Sequence, residues 1–447
     1  MSYVPHTETE RQQMLATIGV SAVEDLFGAV PARHRFPTLD LPDPLSELEV
    51  QAELLSLSEA NDHGQDFALF RGGGAWHHYI PSALGHMLLR GEFLTAYTPY
   101  QPELSQGTLQ AIFEYQSMIC ALTGMDAANA SHYDGATSFA EAVSMAVDVG
   151  RGRRNKILFS PWINPQYRDV ARTYHQGRDL LFRGDESAST LSDLVGQLDN
   201  NTAMLAVAYP DFIGHIADFQ GLAQKVHEAG ALLVFVVNPV ALGLLKSPGE
   251  LGADIVVGEG QPLGIPLSFG GPYVGFFATR TRLVRKIAGR IVGETVDEDG
   301  RRAWVMTLRP REQDIRREKA SSNICTNQGL MALAAAVYLA LMGKQGLRQV
   351  AELCWHKAHY AAAQIAALEE DYQIITRPPF FHEFALRCPR PVSDMNAALR
   401  ERGIIGGHDL GTEDPRLRDC MLLAFTEMNS REEIDALVAG LRELQGS

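Results

Sequence analysis

Lysine is nearly absent from this 447-residue chain, standing at only seven positions: Lys156, Lys225, Lys246, Lys286, Lys319, Lys344 and Lys357. Basic residues as a whole are outnumbered, 39 Lys and Arg against 54 Asp and Glu, and the formal charge is -15. That balance argues against a nucleic-acid partner, which needs a clustered basic face to neutralise phosphates. The short basic clusters Arg151-Gly152-Arg153-Arg154 and Arg316-Arg317 read as solvated helix ends. Cysteine is sparse too: the five are dispersed, odd in number and without a C-x-x-C pair, so neither a disulfide framework nor a structural zinc site is indicated. His77-His78 is a poor metal pair, because adjacent side chains diverge. Long apolar runs are also missing. Leu330 to Met342 falls short of the roughly 18–20 residues that span a bilayer, and the opening MSYVPHTETERQQM has no apolar core of the secretory kind. No membrane span is predicted, and a reducing, cytoplasmic location is expected.

What is present is the composition of an ordinary globular protein, 46% hydrophobic and 21% charged, long enough for two or three packed units. Residues 1–64 read as a helical arm. Two short helices fall between Thr7 and Arg35, with Ser21 as cap before Val23, and a third runs from Pro44 to Ala60, its Leu45, Leu48, Val50, Leu54 and Leu55 needing something to pack on. Residues 65–335 read as a large α/β domain. A helix opens at Pro81, an amphipathic one spans Ser105 to Leu122, and another spans Thr137 to Val149. Strands at Lys156–Phe159, Met204–Ala208, Ala231–Val237 and Asp254–Val257 alternate with helical stretches, which predicts a mostly parallel sheet covered on both faces. After Arg280 the pattern suggests helix and loop, then a long helix from Gly329 to Glu369. Residues 336–447 suit a small α+β domain with strands Phe381–Leu386 and Met421–Phe425, helix Val392–Arg402, and a last helix opened by a Ser430/Glu433 capping box.

The stretch from Gly252 to Arg280, GADIVVGEGQPLGIPLSFGGPYVGFFATR, reads as strand, glycine-rich loop, strand. A loop at the carboxyl end of a strand is where α/β proteins usually place chemistry. Three further motifs stand out. Tyr97-Thr98-Pro99-Tyr100-Gln101-Pro102-Glu103 cannot be regular helix or central strand, since its two prolines remove donors and restrict their neighbours. Arg309-Pro310-Arg311-Glu312-Gln313 and Ser321-Ser322-Asn323-Ile324-Cys325-Thr326 read equally well as functional segments and as a capped helix junction with an ion-pair cluster. Cys325 reads as a small buried residue, with no partner histidine near in sequence. Asp134-Gly135-Ala136-Thr137-Ser138 reads as ordinary capping, or as the remnant of a phosphate cup at a helix start.

These motifs resemble those of the glycine decarboxylase P-protein family, from about Val20 to Glu443. The resemblance implies the aspartate-aminotransferase-like fold, pyridoxal-phosphate (PLP) fold type I. In cofactor-bearing relatives a lysine follows the first strand of the glycine-rich stretch, ahead of the Gly270-Gly271-Pro272 segment; here Gln261 holds that place. An amide cannot form a Schiff base, which requires a nucleophilic amine. Lys246 lies in a turn and Lys286 in a helix, so neither replaces it. Where an aspartate would face the ring nitrogen, the strand ends at Asn238-Pro239. His77 and Asn164 are two further departures from the family pattern. The resemblance therefore implies the α, amino-terminal-half subunit of the two-chain form: no PLP on this chain, PLP on a lysine-bearing β subunit, an α2β2 assembly, and lipoylated H-protein as acceptor of the aminomethyl group of glycine. Tyr97, Thr98, Tyr100 and Gln101 would line the partner's site. Two other readings stay open: a non-enzymatic regulatory or binding module of the same fold, and a stand-alone PLP enzyme with a degenerate site.

Overall fold

Residues 5–64, 66–185, 190–320, 322–368 and 371–445 are described by the computed structural model, and they divide into two units between Asp62 and His63. Ser321 and Glu369, which the sequence assigned to a motif and to a helix end, lie outside the described residues.

The first unit carries α1 (Glu8–Ile18) and α2 (Glu47–Glu59), each opened by a capping box, Thr7 with Glu10 and Ser46 with Glu49. The predicted helix at Val23 is a 3-10 turn, Val23–Phe27. Ser21 does not cap it: Asp25 Oδ2 instead accepts the N–H of Ser21 at 3.0 Å and of Ala22 at 2.9 Å. None of the described residues of this unit is buried, and Leu48, Leu54 and Leu55 are exposed.

The second unit opens on a two-residue strand, Ala68–Leu69, paired in parallel with Ile404–Ile405, and goes on to α3 (Ser82–Leu88), α4 (Gln106–Thr123), β1 (Ala127–Ala128) and α5 (Gly135–Val149). Then come β2 (Lys156–Phe159), α6 (Pro165–Tyr174), β3 (Leu181–Arg183), β4 (Thr202–Tyr209), β5 (Leu232–Val237), β6 (Ile255–Glu259) and β7 (Gly275–Thr279). The seven strands form one sheet in the order β1-β7-β6-β5-β4-β2-β3. Pairs from β3 to β6 are parallel, whereas β7 runs antiparallel to both β6 and β1. All residues of β4, β5, β6 and β7 are buried, as expected of strands covered on both faces. Because successive side chains point to opposite faces, Leu233, Phe235 and Val237 join one core with Leu205 and Val207, while Leu232, Val234 and Val236 join the other with Met204 and Ala206. Each large side chain so buried contributes about 1.5–3 kcal/mol.

Helix α6 was not evident in the sequence, although its start carries the right signals: Asn164 accepts the N–H of Gln166 at 3.0 Å and Pro165 occupies the first turn. After Arg280 the predicted helix and loop give way to a 3-10 turn, Thr281–Lys286, and an antiparallel hairpin of β8 (Ile291–Val296) and β9 (Arg302–Thr307). Its strands escaped recognition because β8 is buried only at Ile291 and Val292 and β9 nowhere, so the apolar alternation is faint.

Helix α7 (Gly329–Ala366) is long and apolar enough to cross a membrane by length and composition. Gly343, at φ 58°, breaks it, and Ala332, Ala335 and Tyr338 of the first half are buried in the protein core. The expected boundary at 335/336 falls inside this helix. Beyond it, β10 (Gln373–Ile374), β11 (Glu383–Arg387), α8 (Val392–Arg400), β12 (His408–Asp409), β13 (Cys420–Ala424) and α9 (Arg431–Glu443) complete the chain. The four strands make an antiparallel sheet, β10-β11-β13-β12, and Ser430 with Glu433 caps α9 as predicted.

Candidate functional site

Parallel strands β4, β5 and β6 deliver three polar side chains at their carboxyl ends: Asp211 just after β4, Asn238 at the end of β5 and Glu259 as the last residue of β6. These line a small cleft of about 70 Å³ together with Trp76, Asn164, Tyr167 and His382. Asn164 also donates to the Gly73 carbonyl at 3.0 Å.

Gln261 follows directly and is 1% exposed. Its Oε1 accepts the Trp76 N–H at 2.9 Å, while its Nε2 donates to the Trp76 carbonyl at 2.9 Å and to the Ile265 carbonyl at 2.7 Å. The amide is thus fully committed within the chain. Glu259 accepts three backbone N–H groups, from Gly135 at 3.0 Å, Gln261 at 2.9 Å and Val274 at 3.3 Å. Gly135 opens α5, so an internal carboxyl occupies the helix start that could have served a phosphate; Asp134 caps the same turn by accepting the Thr137 N–H at 2.7 Å. The Tyr167 hydroxyl also closes against Gly135, leaving no room there for a side chain. Burial pushes the Glu259 carboxyl up to about 8, and its three N–H partners offset that only in part.

His382 sits beside Asn238. Its Nδ1 lies 3.0 Å from the Phe425 carbonyl, which can only accept, so this nitrogen carries the proton and Nε2 accepts from the Asn238 amide at 3.0 Å. Burial holds the ring neutral, pushing its pKa down to about 3. Asp211 and Glu383 are likewise pushed up to about 7 by burial.

PLP on this chain would need an amine to anchor it, a charge beside its ring nitrogen and a cup for its phosphate. Here Gln261, which the family resemblance puts at the anchor position, is an amide locked in a hydrogen-bonded clasp, Asn238 is neutral and paired with a neutral histidine, and Glu259 fills the helix start. Asp211, Glu259 and Glu383 line the cleft without a Lys or Arg among them. Its volume also falls far below the roughly 300–1,000 Å³ of ligand sites. The residues do not fit the cofactor.

None of the four tyrosine-loop candidates lines that cleft. Tyr97 is 80% exposed, Gln101 is exposed, Tyr100 is 43% exposed and Thr98 is half-buried. Tyr97 and Thr98 border a separate cavity of about 210 Å³, shared with Phe93, Ile112 and Leu330. The loop meets the Arg309 and Ser322 segments around Arg290, a residue that the sequence reading missed. An isolated arginine outside any repeat or motif offered no signal. Glu259 and His382 were missed as well, although a carboxylate at the end of an apolar strand, as in Val256-Val257-Gly258-Glu259, was a usable hint.

Two cysteine observations complete the site. Cys325 is exposed rather than buried: the segment crosses the surface with its backbone tied down, the Cys325 N–H donating to the Tyr133 hydroxyl at 3.1 Å. His78, Cys354 and Glu427 have potential metal-ligating atoms within 4.8 Å of one another. They bond to each other through Glu427, with His78 Nε2 left unpartnered among the described residues. Glu427 accepts from the Tyr79 N–H at 2.6 Å and from the Cys354 thiol at 3.3 Å, and pairs with His78 Nδ1 at 2.8 Å. Burial raises the Glu427 pKa, yet the His78 contact and the backbone donors outweigh it and hold the carboxyl at about 2.

The glycine cleavage system P-protein family model matches residues 1–441. The chain belongs to that family. It is 55% identical over 447 residues to the probable glycine dehydrogenase (decarboxylating) subunit 1 of Thermomicrobium roseum, covering 99% of each chain, and 52% identical over 445 residues to the protein of that name from Desulforamulus reducens, again with 99% of each covered. Among solved structures, an inhibitor-bound glycine decarboxylase (P-protein) of the glycine cleavage system superimposes with a TM-score of 0.92 at 43% identity, covering 99% of this chain and 100% of that one. A NifS-like protein at 13% identity and TM-score 0.60, covering 85% of this chain and 99% of its own, shares the fold. The α/β architecture expected of the P-protein family, PLP fold type I, is the one found.

Proposed function

We propose that this chain is the half of a two-chain glycine dehydrogenase (decarboxylating) that does not hold the cofactor. The observation carrying this reading is Gln261: a side chain at the end of β6, where a type I enzyme needs an amine, is bonded instead to Trp76 and Ile265. The name of the relatives, glycine dehydrogenase (decarboxylating) subunit 1, supports a companion chain. That companion is a homologous lysine-bearing β subunit carrying PLP, which supplies the electron sink for decarboxylation. Glycine is the substrate, lipoylated H-protein accepts its aminomethyl group, and the assembly is α2β2.

Tyr97, Thr98, Tyr100 and Gln101 form the wall that this chain contributes to the partner's site. Their position on an exposed, proline-braced loop supports that role, because such a loop is open to a neighbour and fixed in shape. The test is reconstitution: the two chains are purified singly and together, and exchange of carbon dioxide into the glycine carboxyl group is measured with H-protein present. Exchange is expected only from the pair. Equal exchange by the partner alone would overturn the reading.

A further inference from the structure

The tyrosine loop has little of its own to hold it. Between Tyr97 and Glu103 the backbone makes one contact inside the loop, Tyr100 N–H to the Thr98 carbonyl at 2.8 Å; its other bonds lie at the exit, where the Gln101 carbonyl accepts the Leu104 N–H and the Pro102 carbonyl accepts the Ser105 N–H at 3.3 Å and Gln106 Nε2 at 2.8 Å. Against that stands one buried side chain. Arg290 is 5% exposed, and its guanidinium donates to Thr98 Oγ1 at 3.0 Å, Tyr100 Oη at 3.0 Å, Thr326 Oγ1 at 2.8 Å and the Cys325 carbonyl at 2.7 Å. Glu312, itself 9% exposed at its side chain, lies 3.6 Å from Arg290 Nε and balances the charge. The guanidinium carbon also stands 5.4 Å from the Tyr100 ring centroid, and Arg309 stands at 5.4 Å from the same ring. The three conspicuous motifs of the sequence, the tyrosine loop, the Arg309–Glu312 turn and the Ser322–Thr326 segment, thus meet on Arg290, which belongs to none of them.

We infer that Arg290 is the positioning residue of the tyrosine loop, and that it sorts the four candidates into two kinds. Thr98 and Tyr100 have their hydroxyls turned inward and taken up by the guanidinium; they fix the loop. Tyr97 and Gln101, both exposed, are the residues left to meet the partner and its substrate. A planar guanidinium suits this task, since its rigid fork engages a threonine, a tyrosine and a carbonyl at set angles, whereas an ammonium offers no such fork. This division rests on the reading that the loop faces the partner's site.

The experiment uses Arg290→Lys in the reconstituted two-chain complex, with Thr98→Val/Tyr100→Phe as a companion in case loss of the guanidinium leaves Glu312 with Arg309, at 3.8 Å, as its remaining ion-pair partner and the protein fails to fold. Two readouts are taken: amide hydrogen exchange across residues 96–104, and kcat with KM for glycine. Either variant should speed exchange in the loop by about tenfold or more, the equilibrium equivalent of one lost charged hydrogen bond, and should lower kcat with little change in KM or in partner affinity. Tyr97→Phe should lower kcat while leaving loop exchange at the wild-type rate. Unchanged exchange in both positioning variants overturns the proposal. Faster exchange with unchanged kcat upholds the role of Arg290 in holding the loop and overturns instead the placement of that loop at the reacting centre.

Discussion

Replacing Gln261 by lysine restores the missing amine and should nevertheless weaken the protein. In the native chain the side-chain amide bridges the N–H and the carbonyl of Trp76 and reaches the Ile265 carbonyl. A lysine ammonium can donate to the two carbonyls, yet it has no lone pair for the Trp76 N–H. Trp76 is 7% exposed, so that donor would be left buried without an acceptor, at about 1–3 kcal/mol. Taking the ammonium out of water adds to the loss; shedding its proton would free a lone pair for the Trp76 N–H, but only by lowering the lysine pKa through the working pH. Urea unfolding monitored by tryptophan fluorescence should therefore show a lower midpoint for Gln261→Lys, with the slope preserved because the folded surface is the same. Incubation with PLP and borohydride should give at most a trace of adduct at position 261, and no exchange of carbon dioxide with glycine. Asn238 still brings no charge, and Glu259 still fills the helix start. An unchanged midpoint together with stoichiometric labelling at 261 would refute this account, showing a pocket intact apart from one residue.

The native chain alone should give no stoichiometric borohydride-trapped pyridoxyl adduct and no decarboxylation of glycine; a stoichiometric adduct at any one of the seven lysines, or measurable decarboxylation, would contradict the lack of fit. Tyr97→Phe should leave assembly with the partner intact and reduce turnover of the complex, by up to about 2.7–4 kcal/mol if its hydroxyl is aimed as well as an oxyanion donor; a wild-type rate would return the residue to a packing role. Stability should fall as pH rises from about 4.5 toward 8 through the Glu259 contribution. The folded pKa, about 8, lies above the unfolded value, so the stabilisation is complete below the unfolded pKa and is lost as pH climbs through the folded one. Glu259→Gln removes this titration, and its stability–pH curve should be flatter than the native curve by as much as about 1.4 kcal/mol per pH unit in that window. Parallel curves would show that the buried group does not take up a proton there.

The parallel sheet was legible because strands buried on both faces write themselves as unbroken apolar runs, as in Leu232-Leu233-Val234-Phe235-Val236-Val237. The hairpin after Arg280 was not, since its outer face is polar and its register is set by partners distant in sequence, such as Gln116, whose amide spans the N–H and carbonyl of Val292. At the site the pattern was similar. Gln261 and Asn238 stood out against a family motif, because the resemblance puts each where a charged group is expected. What takes the place of the lost chemistry did not: Glu259 reaching Gly135, His382 facing Asn238 and Arg290 beneath the tyrosines depend on approaches across 124, 144 and 190 positions, and no local spacing encodes them.

The segment from Gly73 to Tyr79 has a consequence for synthesis on the ribosome. Apart from the Gly73 carbonyl, which Asn164 reaches, its long-range hydrogen bonds go to Gln261, Glu383, Thr426 and Glu427. The His78–Glu427 pair spans 349 positions. At about 5–20 residues per second, this early segment waits roughly twenty seconds to a minute after its own translation before its last partner is made. Its glycines and paired histidines emerge first and settle last. A chain stalled between Thr279 and Glu427 carries every strand of the central sheet and an unfinished edge to the cleft, so such truncated products should be recognisable by a Trp76 that remains open to solvent.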